Sequence, residues 1–87
     1  MGVKVRIPTP LRSYTVAADV EADGVTVDEL LFDLDRQYPG IRFRMVDEQG
    51  RLRTHMKVFI GDEMTRDLAT PLDGTLVITL MQALSGG

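Results

Sequence analysis

The residues best suited to chemistry are the last three of the sequence, Ser85-Gly86-Gly87, which follow an apolar segment at residues 75–81. Because glycine has no Cβ, a carboxylate carried by two glycines can enter a narrow channel in another protein. The reactive atom would then be the carboxyl carbon of Gly87, and the chain would need no catalytic side chain. The alternative is a frayed end, since the last residues of many domains are disordered. The tail by itself leaves both interpretations open.

Side chains elsewhere in the sequence do not form a conventional active site. His55 is the only histidine and cysteine is absent, so we predict no metal site, no cofactor and no catalytic residue. Asp33 and Asp35 are two positions apart on a predicted helix and therefore face different ways, so we interpret them as solvated acids. We do not expect the protein to be an enzyme in its own right.

Length and composition indicate one small globular domain. The 87 residues are 44% hydrophobic and 26% charged, which is ordinary for a folded protein. The net charge of −3 disfavours binding to nucleic acid. No apolar run approaches the ~20 residues that span a membrane, and the first residues do not have the pattern of a signal peptide. We therefore predict a cytoplasmic protein with no membrane contact.

The first twenty residues carry the alternation of apolar and polar side chains that is typical of strands. Segments 3–7 and 14–20 are predicted to pair as an antiparallel hairpin across a loop at residues 8–13. In the second strand, one face is predicted to carry Tyr14, Val16, Ala18 and Val20.

The next segment predicts a helix over residues 26–38. Thr26 is three residues before Glu29, which is the spacing of a capping box, and Pro39-Gly40 would end the helix. The helical spacing predicts one apolar stripe, made of Val27, Leu30, Leu31, Leu34 and Tyr38. Phe32 lies off this stripe.

The second half of the chain predicts strands at residues 55–60, 64–65 and 75–81, whereas residues 41–54 give little beyond a turn. Two hairpins and one helix can bury one face of a sheet in a two-layer α+β domain. We expect the first and last strands to pair in parallel at the centre. The predicted core consists of Val3, Val5, Ile7, Leu30, Leu31, Leu34, Val58, Ile78 and Leu80.

In this order the segments resemble the ubiquitin-like β-grasp fold, with a mixed four- to five-stranded sheet on one main helix. Within that fold the chain is most similar to the bacterial sulfur carriers of molybdopterin synthase, the thiamine pathway and the cysteine pathway. The resemblance rests on residues 3–7, 26–38, 58–63, 68–74 and Gly86-Gly87. The long segment at 41–54 and the lack of a proline or an aromatic residue just before the tail favour the cysteine-pathway carrier or relatives in specialised biosynthesis.

The resemblance implies a β-grasp domain at residues 1–81 and an extended tail at residues 82–87. It also implies that an ATP-dependent adenylyltransferase of the ubiquitin-activating type adenylates the carboxylate of Gly87. Sulfur then displaces AMP and leaves a thiocarboxylate, which a sulfur-accepting enzyme uses to make cysteine, a cofactor or a specialised metabolite. Gly86 would give steric clearance and Ser85 would belong to the arm. The carrier would be a co-substrate of these enzymes.

The strand phase predicts a partner-binding surface on the open side of the sheet. If Val58, Ile60, Ile78 and Leu80 point toward the helix, alternation turns their neighbours outward. These outward residues are Phe59, Val77, Thr79 and Met81. An exposed apolar cluster of this kind commonly marks an interface. The alternative is that an edge loop or residues 41–54 cover it.

Two other functions remain open from the sequence. A ubiquitin-like modifier would use the same activation step but would join Gly87 to lysines on other proteins. A β-grasp binding module would have no activation and an idle tail, since a fold alone does not determine a function.

Overall fold

The structure, a computed structural model, describes residues 2–74 and 77–83. Its strands are β1 (Val3–Arg6), β2 (Asp19–Ala22), β3 (Met56–Ile60), β4 (Glu63–Thr65) and β5 (Val77–Gln82). Its helices are α1 (Arg12–Thr15), α2 (Val27–Gln37) and α3 (Ile41–Met45), with a 3₁₀ turn at Thr9–Leu11. The strands form one mixed sheet in the order β2-β1-β5-β3-β4. The predicted α+β architecture is therefore confirmed.

The two strands from opposite ends of the chain are neighbours at the centre of the sheet. β1 and β5 run parallel, with Val5 opposite Ile78, and β3 runs antiparallel to β5, with Val58 opposite Leu80. All four of these side chains are buried. The predicted parallel pairing is confirmed, and it fixes which side chains of β5 face away from the core.

Helix α2 begins and ends where its sequence predicts. The Thr26 side chain accepts a hydrogen bond from the backbone N–H of Glu29 at 3.2 Å, and the Glu29 carboxylate accepts one from the N–H of Val25 at 3.2 Å. These two bonds use N–H groups that have no partner within the helix. At the other end, the helix stops before Tyr38, and Pro39 follows.

One hydrophobic core joins the helices to the sheet. Its buried residues include every predicted core position except Val3, which is partly buried and packs against the others. The core also contains residues that were not predicted, among them Leu11, Ile41, Met45, Val46 and Leu52. Among the helices in the described ranges, none has the length and apolar character needed to cross a membrane.

The predicted strand at residues 14–20 is wrong in its first half. Residues 12–15 form helix α1, and β2 begins only at Asp19. Leu11 and Thr15 are both buried, and their spacing of four residues places them on one helical face. Val16 follows in the left-handed region with φ of 65° and is 91% exposed. It therefore does not share a face with Val20.

Residues 41–54 begin with helix α3, which the sequence did not predict. Gly40 has φ of 97°, and the Asp35 carboxylate accepts hydrogen bonds from the N–H groups of Gly40 and Arg42 at 3.0 and 3.2 Å. An acid in this position stabilises the start of a helix. Asp35 is therefore a structural partner of α3, and its interpretation as a merely solvated acid is wrong.

Asp33 also has partners. Its carboxylate accepts hydrogen bonds from the backbone N–H of Asp23 at 2.9 Å and from the Arg36 guanidinium at 2.7 Å. These donors, the Asp23 N–H first, hold the pKa of Asp33 below its ordinary value. Asp33 thus connects helix α2 to the loop that precedes it.

Candidate functional site

The tail is described only at its base. Gly87, Gly86 and Ser85 lie outside the described residues, so their predicted roles stay predictions. β5 extends to Gln82, one residue beyond the predicted strand. The N–H of Ala83 then donates a hydrogen bond to the carbonyl oxygen of His55 at 2.8 Å. The base of the tail is therefore fixed at the start of β3.

Val77, Thr79 and Met81 lie on the face of β5 opposite the core, as the alternation of the strand predicts. Ile78 and Leu80 between them are buried, whereas Met81 is 47% exposed. Phe59 of β3 is half-buried, and it is the cross-strand partner of Thr79. The four residues predicted to bind a partner therefore share one surface, which we call the open face.

Residues 41–54 do not cover the open face. Their buried side chains, at Ile41, Met45, Val46 and Leu52, belong to the core. That core lies on the other side of the sheet, because it contains the side chains that alternate with those of the open face. The alternative in which this segment hides Phe59 is therefore wrong.

The open face also carries basic residues that were not predicted to lie on it. Each outward residue of β5 has a basic cross-strand neighbour: Lys4 opposite Val77, Arg6 opposite Thr79 and Lys57 opposite Met81. Lys4 forms a half-exposed ion pair with Asp19 at 3.7 Å. Alternation in β1 and β3 would have predicted these positions, because Lys4 and Arg6 flank the buried Val5.

A shallow groove of about 600 Å³ continues the open face toward the base of the tail. It runs between β5 and the turn after β1, and its lining residues include Pro8, Pro10, Thr79 and Met81. Arg6 and Arg12 also line it. Such a groove can accept an apolar side chain of another protein beside a carboxylate.

The titrating groups of the described residues support structural roles. The pKa values of Asp33 and Asp47 are lowered. The largest cause is a hydrogen bond from a backbone N–H, which belongs to Asp23 in the case of Asp33 and to Arg51 in the case of Asp47. Residues 2–74 and 77–83 contain no group of three acids or histidines able to hold a metal ion. His55 is half-buried.

Comparisons with known proteins agree with the geometry. A family model described as the ThiS family matches residues 5–87. The sulfur carrier protein CysO of Mycobacterium tuberculosis is 34% identical over 93 residues, and the alignment covers all of both chains. The same protein name and identity recur in Mycobacterium bovis.

Solved structures show the same fold. The crystal structure of Mycobacterium tuberculosis CysO has a TM-score of 0.87 at 33% identity and covers 94% of this chain and 99% of its own. A crystal structure of a BexX/CysO complex from Amycolatopsis orientalis also has a TM-score of 0.87, at 37% identity. The alignment covers 98% of this chain and 99% of that one. The small archaeal modifier protein 1 of Methanosarcina acetivorans has a TM-score of 0.80 at 24% identity. Its alignment covers 99% of this chain and 96% of its own, and it supports the fold alone.

Proposed function

The chain belongs to the ThiS family, and on that premise we propose that it carries sulfur as a thiocarboxylate on Gly87. The observation that carries the proposal is that the family match extends through Gly87 itself. The full-length similarity to proteins named sulfur carriers supports it. In this proposal the chain is a co-substrate of other enzymes and performs no catalysis of its own.

The proposed reaction has two steps. A carboxylate oxygen of Gly87 attacks the α-phosphorus of ATP, which forms an acyl adenylate and releases pyrophosphate. Sulfide then attacks the carbonyl carbon, AMP leaves, and the product is a thiocarboxylate. The adenylate is needed because a free carboxylate is a poor acyl donor. An activating enzyme supplies the catalytic groups, and the reaction uses ATP in the cytoplasm.

The open face is the surface that we propose for the activating enzyme and the sulfur-accepting enzyme. It combines apolar contact area at Phe59 and Met81 with the basic residues Arg6 and Lys57. Apolar residues surrounded by charged ones favour specific and reversible docking. The BexX/CysO complex is a precedent for a complex between a similar protein and another protein.

The reach of the tail fits this arrangement. Four residues, 84–87, follow Ala83, and in an extended chain they span at most about 14 Å. Because Ala83 is hydrogen-bonded to His55, an enzyme that acts on Gly87 must bring its surface close to the end of β5. Docking on the open face and delivery of Gly87 can therefore occur together.

The test is the intact mass of the purified full chain after incubation with ATP, sulfide and a cell extract. We expect a gain of about 16 Da, one sulfur in place of one oxygen, confined to the C-terminal peptide. The matched control omits ATP and should show no gain. Attachment of the chain to lysines of other proteins would support the modifier, and an unchanged mass would support the binding module.

A further inference from the structure

A second exposed surface lies beside the base of the tail, and the proposed function does not use it. It is a cleft of about 310 Å³ lined by Phe43, Arg44, Arg53 and His55, which we call the tail-side cleft. Helix α3 supplies the first two residues, and the chain that leads into β3 supplies the others. Because Ala83 donates its N–H to the carbonyl oxygen of His55, the tail leaves the sheet at this cleft.

The arginines of the cleft are available to an anion. Arg53 donates its Nε–H to the carbonyl oxygen of Phe43 at 2.9 Å, and its guanidinium carbon lies 4.8 Å from the centre of the Phe43 ring. Both contacts orient the guanidinium group, and its two terminal nitrogens donate no hydrogen bond to another residue in the described ranges. Arg44 is exposed and has no ion-pair partner within the described ranges.

The acid nearest in sequence, Asp47, offsets part of the positive charge of Arg53. Asp47 lines a neighbouring cleft together with Arg53 and His55. Its Oδ1 atom accepts the N–H groups of Gln49 and Arg51 at 2.9 and 3.0 Å, so the carboxylate is held within its own turn. The positive charge that the cleft keeps is therefore mainly that of Arg44, on a chain whose net charge is −3.

We propose that the tail-side cleft binds an acidic segment on the surface of the enzyme that receives the tail, an inference that rests on the proposed function. Such an enzyme must come within about 14 Å of Ala83, which brings its surface to the cleft. A fixed arginine and an exposed one suit protein carboxylates, which they can bind in a bidentate way. The open face would lie on the other side of the tail. The enzyme would therefore contact the chain on both sides of the tail that carries Gly87.

The first experiment uses a hexaglutamate peptide as the probe and the full chain labelled for NMR. We expect the amide signals of Arg44, Arg53 and His55 to move on titration, and the affinity to fall several-fold between low and physiological salt, as for exposed charges. Arg44→Gln should remove most of the binding. Arg36→Gln, which neutralises an exposed arginine on helix α2, is the matched control and should bind as the unmodified chain does. Equal losses in both variants, or signal changes confined to the open face, would overturn the inference.

The second experiment separates this inference from the proposed function. In activation assays, Arg44→Gln should raise the KM for the carrier by about tenfold and leave kcat unchanged, because a charge at the rim of an interface acts on encounter and not on the reacting atoms. If Arg44→Gln were activated normally, the role proposed for the tail-side cleft would be wrong, and the proposed sulfur-carrier function would be unaffected. Peptide binding by a chain that no enzyme activates would contradict both the proposed function and the partner assigned to the cleft.

Discussion

At the scale of single residues, Gly24 occupies a position where the backbone of helix α2 leaves no room for a side chain. A Cβ atom there would lie 2.4 Å from the backbone nitrogen of Leu30 and 2.8 Å from the carbonyl carbon of Glu29. We expect Gly24→Ala to lower the free energy of unfolding by about 1–3 kcal/mol, because backbone atoms must move. Urea denaturation measures this loss.

The matched control for Gly24→Ala is Gly50→Ala. No atom lies within 4 Å of a Cβ at Gly50. The loss of stability in Gly50→Ala should come only from the φ of +78° and amount to about 1 kcal/mol. If Gly24→Ala lowered the free energy of unfolding no more than Gly50→Ala does, the loop before α2 would have to relax without disturbing the helix.

Leu34 tests whether helix α2 covers the sheet. Its side chain is fully buried, so Leu34→Ala should cost roughly 2–5 kcal/mol of stability by leaving a cavity. Phe32 on the same helix is 54% exposed, with the Arg42 guanidinium 3.8 Å from its ring centre. Phe32→Ala should therefore cost under about 1.5 kcal/mol. Denaturant melts that gave equal losses would contradict the assigned face.

At the scale of the elements, Asp33 makes the junction between α2 and its preceding loop dependent on pH. Its folded-state pKa lies below the ordinary value of 3.8. A carboxyl group of this kind adds stability above its unfolded pKa, and the contribution disappears as the pH falls through the folded pKa. We expect the unmodified chain to be more stable than Asp33→Asn at neutral pH and the two to converge in acid. A difference between them that did not change with pH would contradict this assignment.

The sequence was sufficient for elements whose signals are local. The capping box at Thr26, the stripe of α2 and the alternation in β3 and β5 each depend on neighbouring residues, and they predicted α2 and the faces of the sheet correctly. Those faces, together with the order of the segments, supported the resemblance to the sulfur carriers, which the family match confirms.

Short helices were missed for a physical reason. α1 and α3 have four and five residues, too few for a helical period to appear in the sequence. α1 depends on burial of Leu11 and Thr15, and α3 on a cap from Asp35. The burial of Leu11 and Thr15 is decided by tertiary packing, so the alternation at residues 14–20 was misleading. The tail-side cleft was missed with them, because two of its residues belong to α3.

At the scale of the whole molecule, the open face predicts how the chain would meet the activating enzyme that we propose for it. We expect Met81→Asp to impair activation by at least tenfold while the melting temperature changes little, because Met81 is exposed in the free protein and would become buried by the partner. Val16→Asp is the matched control, since Val16 is 91% exposed and lies outside the open face. Activation assays and thermal melts on both variants measure these effects.

Either of two results would contradict the open face as the docking surface. One is full activation of a folded Met81→Asp protein, and the other is an equal loss of activation in Val16→Asp. Phe59→Asp provides a second test, since Phe59 on β3 is the cross-strand neighbour of Thr79. Because Phe59 is half-buried, its variant must first give a cooperative melt before its activation is interpreted.

The length of the tail is the strongest test of the proposed chemistry. Deleting Gly87 moves the carboxylate back by about 3.5 Å along an extended arm. Acyl transfer tolerates much less, since a misplacement of ~1 Å can cost about a hundredfold in rate. We expect the deletion to abolish the gain of sulfur in the intact mass and to leave the thermal melt unchanged, because Leu80 is the last core residue in the part of the chain that the structure describes.

One residue added after Gly87 should block activation as completely as the deletion does, provided that mass spectrometry shows the added residue still in place. One residue added before Met1 is the control, and that variant should be charged at the normal rate. The two tail variants change the position of the carboxylate in opposite directions while the open face and the tail-side cleft stay intact. If either tail variant were charged normally without trimming, the position of the carboxylate would not matter. The sulfur carrier and the modifier would then both be excluded, and the binding module would remain.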